Sequence, residues 1–430
     1  MALRKTFFPW LLVFIAAIAI TSCSSQRAIL SAQKKLLAEP VIQAAHIGIS
    51  VYDATQDKYV FNYQGDKYFV PASNIKIPTC YAAMKYLGDS LTALRYVVRN
   101  ADTVLIAGTG SPDFLHPDYK DQPVFNFLKR YKQIILSVKP YTDFLGSGWS
   151  WSDYKAYYMA QRSDLPLYGN VARFNWKNEG YVEVMPSYFK TATTMANRLP
   201  NGFTIEKPWE ENKFTVTEGS GKTDEVPFRP DAATIKALLE DTLKSSVAID
   251  LHSLSAGSQR LYSRPVDSVL HPMMHRSDNF FAEQMLLMVS QEKLGVMDDR
   301  MIIDTLLKTD LADLPQKPRW VDGSGLSRYN LFTPQDFVAI LHKMEKEFGM
   351  QRIKGILPTG GEGTISSYYK QDSGYIYAKT GSLSGVVSLS GYLYTSKGRL
   401  LIFSVLVNNH NGSAADVRRA VERFVRKFRK

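Results

Sequence analysis

The 430 residues predict a mixed α/β (α+β) fold, in which an antiparallel sheet flanked by helices is interrupted by an inserted, mainly β domain. Strand-like alternation of apolar and polar residues occurs near both ends of the chain, and helical periodicity recurs between residues 231 and 348. Residues 97–227 show little helical periodicity. Since 430 residues exceed the size of one ordinary hydrophobic core, the length also favours two or more domains.

The first residues are typical of a secretory signal peptide, which we place at residues 1–22. Arg4 and Lys5 precede an uncharged run that ends at Cys23. The residues before Cys23 resemble a relaxed lipoprotein cleavage motif, so we expect a lipid on Cys23 and a linker over residues 23–39. The alternative is an ordinary signal peptide or a single-pass anchor. We therefore expect a periplasmic protein that an N-terminal lipid holds at the membrane.

The chain has two cysteines, and a lipid on Cys23 would leave Cys80 without a partner for a disulfide. We expect Cys80 to pack as a small apolar side chain beneath a helix and not to act as a catalytic thiol. The net charge of +11 does not predict nucleic-acid binding, because an exported chain seldom meets nucleic acid and no such motif accompanies the charge. The basic C-terminal residues predict a solvated helix face, the alternative being attraction to an acidic cell wall or anionic lipid: Arg418, Arg419, Arg423, Arg426, Lys427, Arg429 and Lys430.

The first folded elements are a predicted hairpin and a helix. Residues 46–52 and 58–63 alternate as strands around a turn at 53–57. A helix then begins near Ser73 and runs towards Leu87, where Gly88 predicts its end.

The rest of the chain predicts helices followed by strands. We expect helices at residues 231–243, 273–295, 299–308 and 334–348, with a loop at 322–327. Three antiparallel strands follow at 375–379, 386–395 and 399–408, and a basic helix from Ala414 closes the fold.

Residues 71–80 contain the pair on which the functional interpretation depends. Ser73 and Lys76 are three positions apart, so on a helix the amine lies close enough to take the proton of the hydroxyl. The pattern Ser-x-x-Lys also occurs at five other places in the chain and is weak evidence by itself. Two companions make it specific: Ser277-Asp278-Asn279 is the only Ser-x-Asn, and Lys379-Thr380-Gly381 is the only Lys-Thr-Gly.

With these three motifs the chain resembles the class C low-molecular-mass penicillin-binding proteins, the D-alanyl-D-alanine carboxypeptidase/endopeptidase family. The resemblance extends to residues 322–327, 357–361 and 403–409 and covers most of the chain after residue 40. It implies a β-lactamase/transpeptidase-like catalytic domain, which we assign to residues 40–96 and 228–430. Because Ser73 and Ser277 are 204 positions apart, far more than in class A β-lactamases, the resemblance also implies an inserted domain at 97–227, with one or two subdomains.

The resemblance implies a role for each motif residue. Ser73 would be the nucleophile and Lys76, with its pKa lowered by burial and by the charge of Lys379, its base. Asn279 would orient Lys76 and hold a substrate carbonyl. Ser277 would protonate the leaving amine, with Lys379 holding this relay. Substrate binding would fall to Thr380, which bonds the substrate carboxylate, to Gly381, which allows close backbone approach, and to Ser382, whose N–H joins that of Ser73 as an oxyanion donor.

The resemblance further implies partners: peptidoglycan stem peptides as substrates and β-lactam antibiotics as covalent inhibitors. It implies no cofactor. We expect no metal site either, because His271 and His275 are four apart but lack a His-Glu-x-x-His pattern and have Pro272 between them.

Two other functions stay open at this stage. A β-lactamase or esterase of the same fold is disfavoured because no Glu-x-x-x-Asn segment, which would hold the deacylating water, occurs between Asn279 and Lys379. A non-catalytic scaffolding protein of the cell wall is disfavoured by the intact motifs. An α/β-hydrolase has no support, since the chain lacks a Gly-x-Ser-x-Gly elbow. The Asp322 loop could be either a tight turn beside the cleft or a substrate contact.

Overall fold

The computed structural model describes residues 27–138, 143–177, 181–196, 203–217, 222–252, 254 and 257–429. The predicted signal peptide and Cys23 lie outside the described residues. Within them, no helix is both long enough and apolar enough to cross a membrane.

Helices and strands alternate along most of the described chain. The helices are α1 (27–37), α2 (Pro40–Gln43), α3 (Lys76–Tyr86), α4 (Pro123–Leu128), α5 (Ala232–Leu243), α6 (Asp267–His275), α7 (Asn279–Leu294), α8 (Asp299–Lys308), α9 (Pro334–Ile356) and α10 (Ala414–Val425). The strands are β1 (His46–Asp53), β2 (Lys58–Tyr63), β3 (Ser90–Val98), β4 (Thr103–Gly108), β5 (Gln133–Ser137), β6 (Val171–Trp176), β7 (Val182–Met185), β8 (Thr193–Ala196), β9 (Ile205–Glu206), β10 (Phe214–Thr217), β11 (Thr223–Pro227), β12 (Ser246–Asp250), β13 (Gln259–Pro265), β14 (Ile376–Leu383), β15 (Val386–Tyr394) and β16 (Leu400–Asn408).

The main sheet joins the two ends of the chain. Its strands are antiparallel in the order β14-β15-β16-β1-β2, so the predicted N-terminal hairpin pairs with the last strand. Side chains of β16 alternate between two cores: Ile402 and Leu406 pack with α3, α6, α7 and α9, while Phe403 and Val405 pack with α1 and α10. This helix-sheet-helix arrangement confirms the predicted fold class.

Helix α3 lies at the centre of the helical layer. Nine of its eleven residues are buried, because α7 and α9 cover it on one side and the main sheet on another. A helix that is buried on all sides belongs in a core, and this one holds the polar residues Lys76 and Thr79 among its buried side chains. The first motif is thereby fixed from every direction.

The segment of chain between α3 and α6 forms a second five-stranded sheet, with its strands in the order β12-β5-β4-β3-β13. Its strands β4, β5 and β12 are parallel, which suits the crossover helices α4 and α5, and β3 and β13 pair antiparallel at one side. Two three-stranded sheets, β11-β6-β7 and β8-β10-β9, pack into the same core.

This second sheet extends beyond the predicted insertion limits of 97 and 227. Its first strand begins at Ser90 and its last ends at Pro265, and these two strands pair with each other. The chain therefore leaves and rejoins the catalytic part at one place. We propose residues 90–265 as the inserted region and keep that name below.

Two local predictions of secondary structure were wrong. The helix expected over 273–295 is two helices, α6 and α7, separated at Ser277, whose φ is +62°. The Lys-Thr-Gly lies inside β14 and not at its end. Residues 27–37 of the expected linker are helical. The helix predicted to end at Phe348 is interrupted at Gly349, whose φ is +71°, and helical structure then resumes as far as Ile356.

Candidate active site

The first motif lies where a short 3₁₀ turn, Ala72–Ile75, leads into α3. Ser73 is half-buried in the turn, and Lys76 is the first residue of α3 and wholly buried. Its Nζ lies 3.1 Å from Ser73 Oγ, so the contact predicted from the spacing is present. Two further oxygens lie 2.7 Å from Nζ: Asn279 Oδ1 and the carbonyl of Ser324.

This arrangement suits an uncharged Lys76. Burial lowers the pKa of Lys76 to about 8, although the carboxylates of Asp322, Asp278 and Glu283 oppose the shift. A neutral amine has two N–H groups and a lone pair. The two N–H groups match the two closer oxygens, which leaves the lone pair facing the hydroxyl of Ser73.

The second motif occupies the break between α6 and α7. Ser277 adopts a left-handed backbone conformation, which ends one helix and aims the chain into the next. Asp278 caps α7 by accepting a hydrogen bond from the N–H of Phe281 at 3.0 Å. Asn279, the first residue of α7, presents its oxygen to Lys76 and donates through Nδ2 to the carbonyl of Tyr158 in the inserted region, at 3.1 Å.

The third motif brings a second lysine to Ser277. Lys379 is wholly buried on β14, and its Nζ lies 2.9 Å from Ser277 Oγ and 2.7 Å from the carbonyl of Thr380. Burial, aided by the charge of Lys76, holds the pKa of Lys379 well below its usual range. Burial is thus the largest influence on the pKa of both lysines. The neighbouring lysine adds to it at Lys379, whereas the charges that act on Lys76 are those of carboxylates.

Gly381 is where β14 approaches the turn that carries Ser73. A Cβ built on Gly381 would lie 2.6 Å from the carbonyl oxygen of Pro71 and 2.9 Å from the N atom of Ser73. Such contacts leave no room for a side chain. This glycine thus allows the strand to approach the turn that carries Ser73.

Thr380 and Ser382 lie two residues apart and so share one face of β14, opposite to Lys379. Thr380 is half-buried and Ser382 is exposed. The hydroxyl of Ser382 accepts a hydrogen bond of 2.6 Å from the guanidinium of Arg418 on α10.

Three polar residues that the sequence interpretation missed tie the motifs together. Asn74 donates to the carbonyl of Lys379 at 3.4 Å and to Ser390 Oγ at 3.3 Å. The hydroxyl of Ser388 donates to the carbonyl of Pro71 at 2.7 Å. Asn74 and the two serines are buried, and a polar residue inside so apolar a segment was the available signal for each.

The Asp322 loop closes the site behind Lys76. The buried Asp322 carboxylate accepts hydrogen bonds from the N–H groups of Gly325 and Ser327 and from the side chain of Trp149, at 2.7 to 2.9 Å. The loop then offers the Ser324 carbonyl to Lys76, while Glu283 accepts from the Ser324 N–H at 2.8 Å. The carboxylate of Asp322 thus stabilises the tight turn of this loop.

Three residues that the sequence singled out lie apart from this constellation. Cys80 is wholly buried in the core, and burial raises the pKa of its thiol, so it packs as the expected apolar residue. His271 and His275 stack with their ring centroids 3.7 Å apart, and Nδ1 of His271 lies 3.0 Å from the carbonyl oxygen of Gly355.

Comparison with known proteins finds relatives along most of the chain. Residues 30–428 match the model of the D-Ala-D-Ala carboxypeptidase 3 (S13) family. A D-alanyl-D-alanine carboxypeptidase of Actinomadura sp. is 26% identical, over 88% of this chain and 80% of that protein.

Solved structures show the same fold. Penicillin binding protein 4 of Haemophilus influenzae superposes with a TM-score of 0.71 at 21% identity, over 89% of this chain and 95% of that one, and its complex with a β-lactam gives 0.68 at 20% identity, over 93% and 97%. A predatory peptidoglycan endopeptidase of Bdellovibrio bacteriovorus gives 0.54 at 14% identity, over 89% and 92%. The chain therefore belongs to the D-Ala-D-Ala carboxypeptidase 3 (S13) family, as its resemblance to low-molecular-mass penicillin-binding proteins implied, and is a serine-type D-Ala-D-Ala carboxypeptidase.

Proposed function

We propose that this enzyme cleaves the terminal D-Ala-D-Ala bond of peptidoglycan stem peptides through an acyl-enzyme on Ser73. The observation that carries the proposal is the contact of Ser73 Oγ with a buried lysine whose pKa is lowered to about 8. In the first step the neutral Lys76 amine accepts the hydroxyl proton while Oγ forms a bond to the carbonyl carbon of the penultimate D-alanine.

The tetrahedral intermediate then needs donors for its oxyanion. We assign these to the backbone N–H groups of Ser73 and Ser382, on the two chain segments that Gly381 brings into contact. When the C–N bond breaks, the leaving amine of D-alanine takes a proton from Ser277 Oγ, which Lys379 holds at 2.9 Å. The proton that Lys76 took from Ser73 then replaces it on Ser277. Water finally attacks the acyl carbon and gives a proton to Lys76. The Ser73 oxygen leaves and takes that proton back, which releases the shortened peptide and restores Ser73.

Penicillin should form the same ester and leave it slowly. The chain has no Glu-x-x-x-Asn segment between the second and third motifs to hold a deacylating water. We therefore propose that β-lactams are long-lived covalent inhibitors of this enzyme. We do not propose a β-lactamase function.

Cleavage of cross-links is a second candidate activity, favoured by a cavity beside the second motif. The cavity of about 360 Å³ is lined by Ser277 and Asn279 from the catalytic part and by Tyr158 and Arg173 from the inserted region. A larger leaving group than D-alanine needs such space next to the residue that protonates it. Release of monomers from cross-linked peptide dimers would test this activity.

We also propose that a lipid on Cys23 holds the enzyme at a membrane, outside the cytoplasm. Helix α1 begins four residues later and carries Lys34 and Lys35 as exposed cations, near the exposed Arg423 and Lys427 of the last helical segment. Such a basic face suits anionic headgroups. A Cys23→Ser variant should lose incorporation of radiolabelled palmitate and leave the membrane fraction.

Intact-mass spectrometry tests the central proposal. The soluble form that starts after Cys23 is followed over time with benzylpenicillin, and D-alanine release from a D-Ala-D-Ala peptide is measured beside it. We expect a single persistent adduct on Ser73, and no adduct and no D-alanine release with Ser73→Ala. Release by Ser73→Ala at the wild-type rate would refute the assignment, and an adduct that vanishes as hydrolysed drug accumulates would indicate a β-lactamase.

A further inference from the structure

Helix α10 directs Arg418 at the substrate-binding strand, and this arginine differs from two arginines that follow it in the chain. Arg423 forms an ion pair with Glu39 at 2.6 Å, and Arg426 forms one with Asp372 at 2.8 Å. Arg418 has no carboxylate within ion-pairing distance among the described residues, and its contact is the hydroxyl of Ser382 at 2.6 Å. A cation that lacks a carboxylate partner within the protein can pair with an anion that a ligand supplies.

The position of Arg418 indicates which anion of a ligand would pair with it. Arg418 lines a small cavity together with Thr380, the residue that the family resemblance assigns to the substrate carboxylate. Ser382, which accepts the hydrogen bond from Arg418, follows Thr380 by two residues on the same face of β14. We propose that Arg418 binds the C-terminal carboxylate of the substrate, next to Thr380 and Ser382.

This inference rests on the proposed function and adds the source of its specificity for a free carboxyl terminus. An arginine offers five N–H donors in a planar fork, which matches a carboxylate in two parallel hydrogen bonds. The hydroxyl of Ser382 uses one donor and fixes the guanidinium at the strand. The remaining donors can then meet the carboxylate of the leaving D-alanine.

The two lysines of the site explain why a separate cation is needed. Lys76 must be neutral to accept the proton of Ser73, and the pKa of Lys379 is held well below its usual range by burial. Arginine keeps its charge throughout this pH range. Arg418 thus provides a positive charge that does not depend on the protonation states of Lys76 and Lys379.

The test compares ligands that differ only in the carboxylate. Rates of Ser73 acylation by benzylpenicillin and by its methyl ester are measured by intact mass, and KM and kcat are measured for a D-Ala-D-Ala peptide. We expect Arg418→Gln to slow acylation by the acid about 10- to 100-fold, which is the range for a hydrogen bond to a charged group, while the rate with the ester changes less than about twofold. KM should rise and kcat should change little.

Two variants separate binding from structure. Arg418→Lys keeps the charge and should retain most of the preference for the acid. Arg423→Gln removes another arginine of the same helix that lies away from β14 and should leave both rates unchanged. Acid and ester slowed equally by Arg418→Gln, or an unchanged ratio, would overturn the role of Arg418 alone. A wild-type enzyme that neither compound acylates would overturn the acyl-enzyme proposal as well.

Discussion

The active site contains two serine-lysine pairs of nearly equal length that differ in how the chain builds them. Ser73 and Lys76 lie in one turn, 3.1 Å apart. Ser277 and Lys379 come from a helix break and a strand, are 102 positions apart in sequence, and lie 2.9 Å apart. The first pair is formed by local spacing, while the second exists only when the whole fold is assembled.

The surroundings of the two lysines differ as well. Three carboxylates raise the pKa of Lys76 against the effect of burial and leave it near 8, whereas Lys379 has burial and a neighbouring cation acting in the same direction. A base for Ser73 must gain and lose a proton near neutral pH, which fits Lys76. Lys379 is suited to holding Ser277 in place and passing a proton through it.

Removing each lysine in turn should give the largest effect and rank the two pairs. Lys76→Met should lower the rate of acylation by benzylpenicillin about 10²- to 10⁴-fold, the contribution of a general base. Lys379→Met should lower it less, because Ser73 and its base remain. Lys85→Met, on the same helix as Lys76 but paired at the surface with Asp310, should stay within about twofold. A reversed order of the two site lysines would contradict the assignment of the base.

The next largest effect concerns Gly381, where the strand that carries Lys379 approaches the turn that carries Ser73. Gly381→Ala would push a methyl group against the Pro71 carbonyl and the Ser73 N–H, and so displace the proposed oxyanion donor. We expect acylation to fall about 10²- to 10³-fold. Gly355→Ala is the matched control, since its Cβ would meet no atom within 4 Å. Wild-type acylation by Gly381→Ala would show that the close approach of β14 is not required.

The difference between the pairs also shows what the sequence can predict. The contact of Ser73 with Lys76 follows from their separation of three, because a single helical turn sets the distance. The contact of Ser277 with Lys379 was available only through the family resemblance, since nothing local brings a strand to a helix break. The same limit hid Arg418 and the Ser324 carbonyl, whose partners are remote in sequence.

The wrong boundaries have a physical reason of the same kind. Apolar residues continue at helical spacing from Met273 to Val289, so the sequence predicted one helix, but the positive φ of Ser277 divides it. Strand β3 continues directly from the catalytic part, and its pairing with β13 is what assigns it to the inserted region. Local pattern predicted most elements of the catalytic part, whereas pairing between distant strands is the basis of the limits that we propose for the inserted region.

The pH dependence should distinguish the two lysines without any mutation. Acylation needs neutral Lys76, and the neutral fraction grows as pH rises, so the second-order rate constant should climb about tenfold per pH unit below pH 8 and level off above it. Rates of adduct formation between pH 6 and 10, on enzyme whose fold is checked by circular dichroism, would show this. A rate that falls through the same range would mean that the charged amine is the active form.

The smallest expected effect tests the carboxylates that set the two lysines apart. Glu283→Gln removes one of the three negative charges that raise the pKa of Lys76, and its amide oxygen can still accept the Ser324 N–H. Arg162, the cation beside Glu283, keeps its ion pair with Asp299. The midpoint of the pH profile should therefore move to lower pH with the plateau rate little changed. Glu292→Gln, on the same helix and paired with Arg260, should leave the midpoint in place. An unmoved or raised midpoint in Glu283→Gln would mean that the charge of Glu283 does not govern the protonation of Lys76, and the contrast between the two lysines would then rest on burial alone.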